Sequence, residues 1–210
     1  MADKFVIANK SSRPKRRVTR KGSANQLRII GGHWRSRRLP IAAVTGLRPT
    51  PDRVRETLFN WLQGEVVGAR CLDLFAGSGA LGLEALSREA AEVVFVEKNA
   101  AAVRQLHTNL VSLQAHTTHT QMVHGDAVSY LKHETRAFDV IFLDPPFQQN
   151  WLERILDLIV AGALLQAKTM IYLEYERHCS LDLAHWGLEV YRETRAGEVY
   201  SCLVRRPPSC

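Results

Sequence analysis

From residue 70 onward the apolar and polar positions follow two alternating rhythms. Short runs rich in β-branched and aromatic residues, at about 70–75, 92–97, 120–125, 138–144 and 170–175, read as strands. Between them apolar residues return every three or four positions, the spacing of a helix with one buried face. The clearest helical stretch is 99–113, where Val103, Leu106, Leu110 and Leu113 share a face, and 151–165 is nearly as regular. Strand and helix in strict alternation predict a mostly parallel α/β sheet of Rossmann-like type, with helices on both faces. Two later runs, 188–194 and 198–205, are joined through Arg195-Ala196-Gly197 and predict a C-terminal antiparallel hairpin.

The pattern ahead of this core is different. Leu27-Arg28-Ile29-Ile30, Gly31-Gly32 and His33-Trp34-Arg35-Ser36-Arg37-Arg38-Leu39 read as a small β-hairpin with a two-glycine turn. Its second strand would present several cations beside an indole. Arg48-Pro49-Thr50-Pro51 then opens a helix, with Thr50 as N-cap and Pro51 in the first turn. Val54, Leu58, Trp61 and Leu62 form its buried stripe. Residues 1–24 are polar and aperiodic, and are expected to be disordered when no partner is bound. The expected organisation is therefore a basic arm (1–24), a hairpin extension (25–48) and one α/β domain (49–210).

Charge sharpens this division. Residues 1–48 hold thirteen Lys and Arg against one acid, Asp3, a net of +12. The whole chain carries +7, so +7 less +12 leaves −5 on residues 49–210. A basic arm on an acidic core is an electrostatic footprint for a phosphate backbone. A passive solubilising tail and a mitochondrial presequence are the alternatives, the second weakened by the absence of a helical apolar stripe. The chain has no apolar run of membrane-spanning length and no signal-peptide core. Its four cysteines (Cys71, Cys179, Cys202 and Cys210) lie far apart, which points to reduced thiols in a cytoplasmic protein. The eight histidines form no ligand set by spacing, so no metal is expected, and the expected form is a monomer.

The first strand runs into Asp73-Leu74-Phe75-Ala76-Gly77-Ser78-Gly79-Ala80-Leu81-Gly82 and then a helix. Glycines at 77, 79 and 82 satisfy G-x-G-x-x-G where that pattern has a mechanism, after a strand and opening a helix. Without a Cβ, such a turn lets a cofactor approach the backbone. The second strand ends in Glu97, twenty residues past Gly77, where a carboxylate can accept both hydroxyls of a ribose. The third ends in Gly125-Asp126-Ala127, whose acid is placed for an adenine amino group. Nicotinamide dinucleotides and S-adenosylmethionine both carry an adenosine. Asp73 favours the second, because an acid there repels a pyrophosphate but attracts the ammonium of a methionine moiety. The candidate cofactor contacts are thus Asp73, Phe75, Ala76, Gly77, Ser78, Gly79, Gly82, Glu97, Asp126 and Ala127.

The fourth strand closes with Asp144-Pro145-Pro146-Phe147. Proline lacks the N–H that a sheet ladder needs, so the strand must stop and hold a rigid extended backbone at its C-terminal edge. The Asp144 carboxylate and the Pro145 carbonyl are acceptors and Phe147 offers a flat face. Together they suit a planar group bearing an exocyclic amine, although a plain loop after a strand has the same composition.

These motifs, in this order, resemble Rossmann-type methyltransferases that modify exocyclic amines. More narrowly, the chain resembles the RsmD family in four segments. They are Arg28-Ile29-Ile30-Gly31-Gly32-x-Trp34-Arg35, Leu47-Arg48-Pro49-Thr50-x-Asp52-Arg53-Val54-Arg55-Glu56, the loop at 74–79 and Asp144-Pro145-Pro146-Phe147. The resemblance spans about residues 25–205 and implies S-adenosylmethionine as cofactor. It further implies methylation of guanine N2 at position 966 of 16S ribosomal RNA, either naked or in the 30S particle. By the same resemblance Asp144, Pro145 and Phe147 are the catalytic set. Arg28, Trp34, Arg35, Arg37 and Arg38 are the candidate RNA contacts. Arg48, Thr50, Arg53 and Arg55 stay open between helix capping and lining the substrate cleft. Two other readings remain: methylation of an adenine or cytosine amine, and a non-catalytic RNA-binding assembly protein that keeps the cofactor fold.

Overall fold

A computed structural model describes residues 26–45, 49–146 and 151–208. In it two hydrophobic layers sandwich one seven-stranded sheet. The strands are β3 (Arg70–Asp73), β4 (Glu92–Glu97), β5 (Thr120–His124), β6 (Phe138–Leu143), β7 (Leu165–Glu176), β8 (Glu189–Ala196) and β9 (Val199–Arg205). Their order is β5-β4-β3-β6-β7-β9-β8. The first five are parallel, and β9 inserts antiparallel between β7 and β8. The expected Rossmann-like sheet and C-terminal hairpin are both present.

Side-chain alternation along the strands divides the core. Val93, Phe95, Val140, Phe142 and Tyr172 face α1 (Asp52–Trp61), α2 (Ala80–Ser87) and α3 (Ala100–Ser112). Val94, Val96, Ile141, Leu143, Ile171 and Leu173 face α4 (Ala127–His133) and α5 (Trp151–Ala161). All but the strand ends are buried, as central parallel strands require. Every residue of α2 is buried as well. Gly82 makes its close approach possible, since a Cβ there would stand 2.2 Å from the Phe95 ring.

Chain order reverses between β3 and β6. The chain winds outward from β3 through β4 to β5, then crosses back to place β6 on the other flank of β3. A crevice opens at such a switch point, beyond the carboxyl ends of the strands, and open α/β sheets bind their ligands there. The glycine loop and residues 144–146 both leave the sheet at this crevice.

The N-terminal element differs from a two-glycine hairpin. Strands β1 (Gln26–Arg28) and β2 (Arg38–Pro40) pair antiparallel in three-residue register, and residues 29–37 form a wide connection. Gly31 and Gly32 do not turn the chain back; they press it against the C-terminal end of α2. Gly32 has φ +71°, and a Cβ on it would lie 1.7 Å from the Ser87 carbonyl oxygen. The next amide, of His33, donates to that oxygen at 2.7 Å. Tertiary docking, rather than local turn chemistry, shapes this segment. The arm at 1–24 lies outside the described residues.

Candidate functional site

The cofactor side of the crevice is held together by acids at three consecutive strand ends. Asp73, 3% exposed, accepts the Gly82 amide at 2.9 Å and so ties the first turn of α2 to β3. Burial pushes its carboxyl up to about 7, with the Glu97 charge adding and the Gly82 bond opposing. Glu97 accepts the Gly77 amide at 2.8 Å through one oxygen and the Asn99 amide at 2.6 Å through the other. A carboxylate has about four lone-pair sites, so both Glu97 oxygens keep capacity for a hydroxyl pair. Asp126 is exposed and N-caps α4, accepting the Ser129 amide at 2.9 Å. Bonds from the Ser129 hydroxyl and amide hold its carboxyl below the usual range.

The loop between these acids has the backbone its sequence requires. Gly77 and Gly79 sit at φ +53° and +77°, in the left-handed region that favours glycine. The Ala76 amide donates to the Val96 carbonyl at 3.0 Å, which fastens the loop across β4. Phe75 is half-buried and meets the Trp151 ring edge-on, with centroids 6.1 Å apart. Ala76 and Ala127 are buried and Ser78 half-buried. A buried acid, a braced glycine turn and two further carboxylates along one edge suit an ammonium, a diol and an amine in turn. That donor set fits S-adenosylmethionine.

Across the switch point stands Asp144, whose Oδ2 accepts the Thr50 hydroxyl at 3.2 Å. Burial raises its carboxyl well above the ordinary range. The charges of Glu174 and Asp73 push the same way and the Thr50 bond opposes them. Pro145 is buried and Pro146 exposed, while Phe147 and Arg48 lie outside the described residues. Thr50 is therefore not the N-cap: helix α1 begins at Asp52 with Pro51 as cap, and the Thr50 hydroxyl turns to Asp144 instead. Arg53 is exposed on α1, whereas Arg55 is fully buried.

Arg55 and Glu84 are the residues that pattern reasoning passed over. Arg55 donates to the carbonyls of Thr50 (3.1 Å) and Arg28 (2.8 Å), to Asp52 (2.6 Å) and to Glu84 (3.5 Å). Glu84 in turn accepts the amides of Ile30 at 2.8 Å and Gly31 at 2.7 Å. One buried ion pair thus fastens the N-terminal element to both α1 and α2. The available signal was a lone acid in the otherwise apolar helix Ala80–Ser87. Glu174, a lone acid among the buried residues of β7, carried the same signal.

The candidate RNA contacts are dispersed around the N-terminal element. Arg35, Arg37 and Arg38 are exposed, but only Arg38 lies on a strand. Arg37 donates to the Ser112 carbonyl at 3.1 Å, and Arg28 is paired with Asp52 at 2.9 Å. Trp34 is half-buried, packs on the core and donates its amide to the Ser87 hydroxyl. Among the described residues, Glu176, His178 and Cys179 bring ligand-type atoms within 4.8 Å of one another, a convergence that residue spacing did not reveal. No described helix is long and apolar enough to cross a membrane.

The family model described as "Conserved hypothetical protein 95" matches residues 27–205. Ribosomal RNA small subunit methyltransferase D of Escherichia coli (strain K12) is 45% identical over 87% of this chain and 91% of its own length. The protein of the same name from Haemophilus influenzae is 41% identical, over 77% and 85%. The solved structure of Escherichia coli yhhF superposes with a TM-score of 0.78 at 43% identity, covering 88% of this chain and 99% of that one. The chain belongs to the ribosomal RNA small subunit methyltransferase D family.

Proposed function

We propose that this protein methylates N2 of a guanine in small-subunit ribosomal RNA, with S-adenosylmethionine as methyl donor. The observation that carries the reading is the placement of Asp144 across the β3/β6 switch point from the braced glycine loop. An acceptor for an amine and a cradle for a donor thus face one crevice.

In this reading Asp73, the loop at 75–79, Glu97, Asp126 and Ala127 hold the donor, which supplies an electrophilic methyl on a sulfonium. Asp144 and the Pro145 carbonyl accept the two N–H groups of the substrate amine. Guanine N2 is a poor nucleophile because its lone pair is delocalised into the ring. Acceptors on both N–H groups orient the nitrogen and favour the tetrahedral geometry of the transition state. Holding the reactants in a near-attack geometry is worth about 7–11 kcal/mol. Phe147 stacks the base once it has left its own stack, a contact typically worth about 1–3 kcal/mol. Arg35, Arg37 and Arg38 contact phosphates and set affinity rather than sequence choice.

The test is methyl transfer from labelled S-adenosylmethionine to naked 16S RNA and to 30S particles, followed by nucleoside analysis. N2-methylguanosine is expected. Methylated adenosine or cytidine would replace the assigned base, and no transfer to either substrate would overturn the reading.

A further inference from the structure

The polar groups behind Asp144 form a row across the sheet. The last paired register of β6 and β7 is Leu143↔Leu173, so the next residues along, Asp144 and Glu174, stand side by side on neighbouring strands. Such strands lie about 4.8 Å apart. Glu174 is 6% exposed and accepts the Tyr172 hydroxyl at 2.7 Å. Beyond it on β9 the register partner is Ser201, fully buried. A carboxylate does not sit at such a position for packing, because burying an acid is costly unless it is bonded and used. Nothing in the family resemblance or in the cofactor motifs assigns Glu174 a role.

We propose that Glu174 is a positioning residue that acts through Asp144: its buried, Tyr172-bonded carboxylate makes the neighbouring Asp144 carboxylate a stronger base for the proton that leaves the substrate amine. This rests on the methyltransferase reading above. When the amine nitrogen bonds to the methyl carbon, the carbon–sulfur bond breaks and its electron pair stays on sulfur. The nitrogen then carries one proton too many. Asp144 takes that proton and later passes it to water, leaving a neutral methylated amine. A lone solvated carboxylate is a weak acceptor at neutral pH, whereas a second negative charge one strand away strengthens it.

The groups around Asp144 fix the sign. Thr50, ahead of α1, donates to Asp144 and favours its charged form. Asp73 on β3 and Glu174 on β7 oppose that form. Tyr172 on β7 stabilises the Glu174 charge, and Arg55 is held one link away, on the Thr50 carbonyl. Removing the Glu174 charge should therefore make Asp144 a weaker base.

The experiment reads the Asp144 carboxyl directly, by 13C NMR titration of the substrate-free protein, with the resonance assigned by its loss in Asp144→Asn. In Glu174→Gln the Asp144 midpoint should fall by about one pH unit or more. The acidic limb of the single-turnover rate should fall with it, while S-adenosylmethionine affinity changes less than about twofold. In Glu174→Asp both should stay near their wild-type positions. If Glu174→Gln does not fold, Tyr172→Phe serves instead: with its donor gone, Glu174 takes up the proton, and the Asp144 midpoint again falls. An Asp144 midpoint that stays in place in the folded variant overturns the proposal. Failure of wild-type methyl transfer would overturn the proposed function instead, and the titration distinguishes the two.

Discussion

The hydroxyl of Thr50 donates to the carboxylate of Asp144, 94 residues further along the chain, at 3.2 Å. The Thr50 carbonyl is in turn held by Arg55, which also binds the Arg28 carbonyl and Glu84. A continuous path of bonds therefore links the docked N-terminal element to the acid at the catalytic edge. Thr50→Val keeps the shape and removes the donor. A bond to a charged group contributes about 1.5–3 kcal/mol, so methyl transfer at neutral pH should slow about tenfold or more. Loss of a bond to the charged form raises the carboxyl pKa. The acidic limb of the rate should then move to higher pH, opposite to its movement in Glu174→Gln. A pH–rate profile of the two variants checks both directions.

Asp144→Asn keeps the size and removes the charge. Single-turnover methylation should fall by about 100-fold or more, the usual reach of a positioned base, while S-adenosylmethionine affinity by calorimetry stays within a few-fold. Phe147→Ala should lower the rate through base stacking, again without weakening the donor. Full activity in both variants would remove Asp144 and Phe147 from the site.

Asp73 gives donor binding its own pH dependence. Its carboxyl is pushed up to about 7 in the free protein, so near neutrality part of the population is protonated. An ammonium brought beside it favours the charged form and lowers that value, so binding must release a proton. Affinity for S-adenosylmethionine should rise from pH 6 to pH 8. Calorimetry in buffers of different ionisation enthalpy should show proton release approaching one on the acid side.

The buried Arg55 and Glu84 pair should matter to stability more than to chemistry. Glu84→Ala leaves a buried guanidinium and the Ile30 and Gly31 amides short of an acceptor. Breaking such a pair from one side costs about 3–5 kcal/mol, measurable by urea unfolding. Gly32→Ala is a narrower probe, because its Cβ would stand 1.7 Å from the Ser87 oxygen and undock the connection at 29–37. It should weaken RNA binding while leaving donor affinity unchanged.

Removing residues 1–24 tests the charge asymmetry. If their cations meet phosphates, deletion should lower RNA affinity and flatten the dependence of log K on log salt by about 0.7 per lost contact. Donor affinity should not move. An unchanged slope would make the arm a passive tail.

Which parts were legible follows from how local each signal was. The strands around 70–75, 92–97 and 138–144 and the helix at 99–113 are periodic over their own length, and they fall where the pattern places them. The glycine loop is equally local, since Gly77 and Gly79 satisfy a backbone need within one turn. The hairpin turn was misread because Gly31 and Gly32 answer to Ser87 and Glu84, residues more than fifty positions away. Thr50 was placed as a cap for the same reason: its partner is Asp144 on another strand.

The sequence by itself determined the strand and helix rhythm, the acids at the strand ends and the stop at Asp144-Pro145-Pro146-Phe147, because each depends on residue chemistry over a few positions. Only the tertiary structure decided that Thr50 and Glu174 flank Asp144, that Arg55 and Glu84 clamp the N-terminal element, and that Arg28 is tied to Asp52. Those relations depend on strand order and register. No single stretch of chain encodes them, because they follow from how the whole core packs.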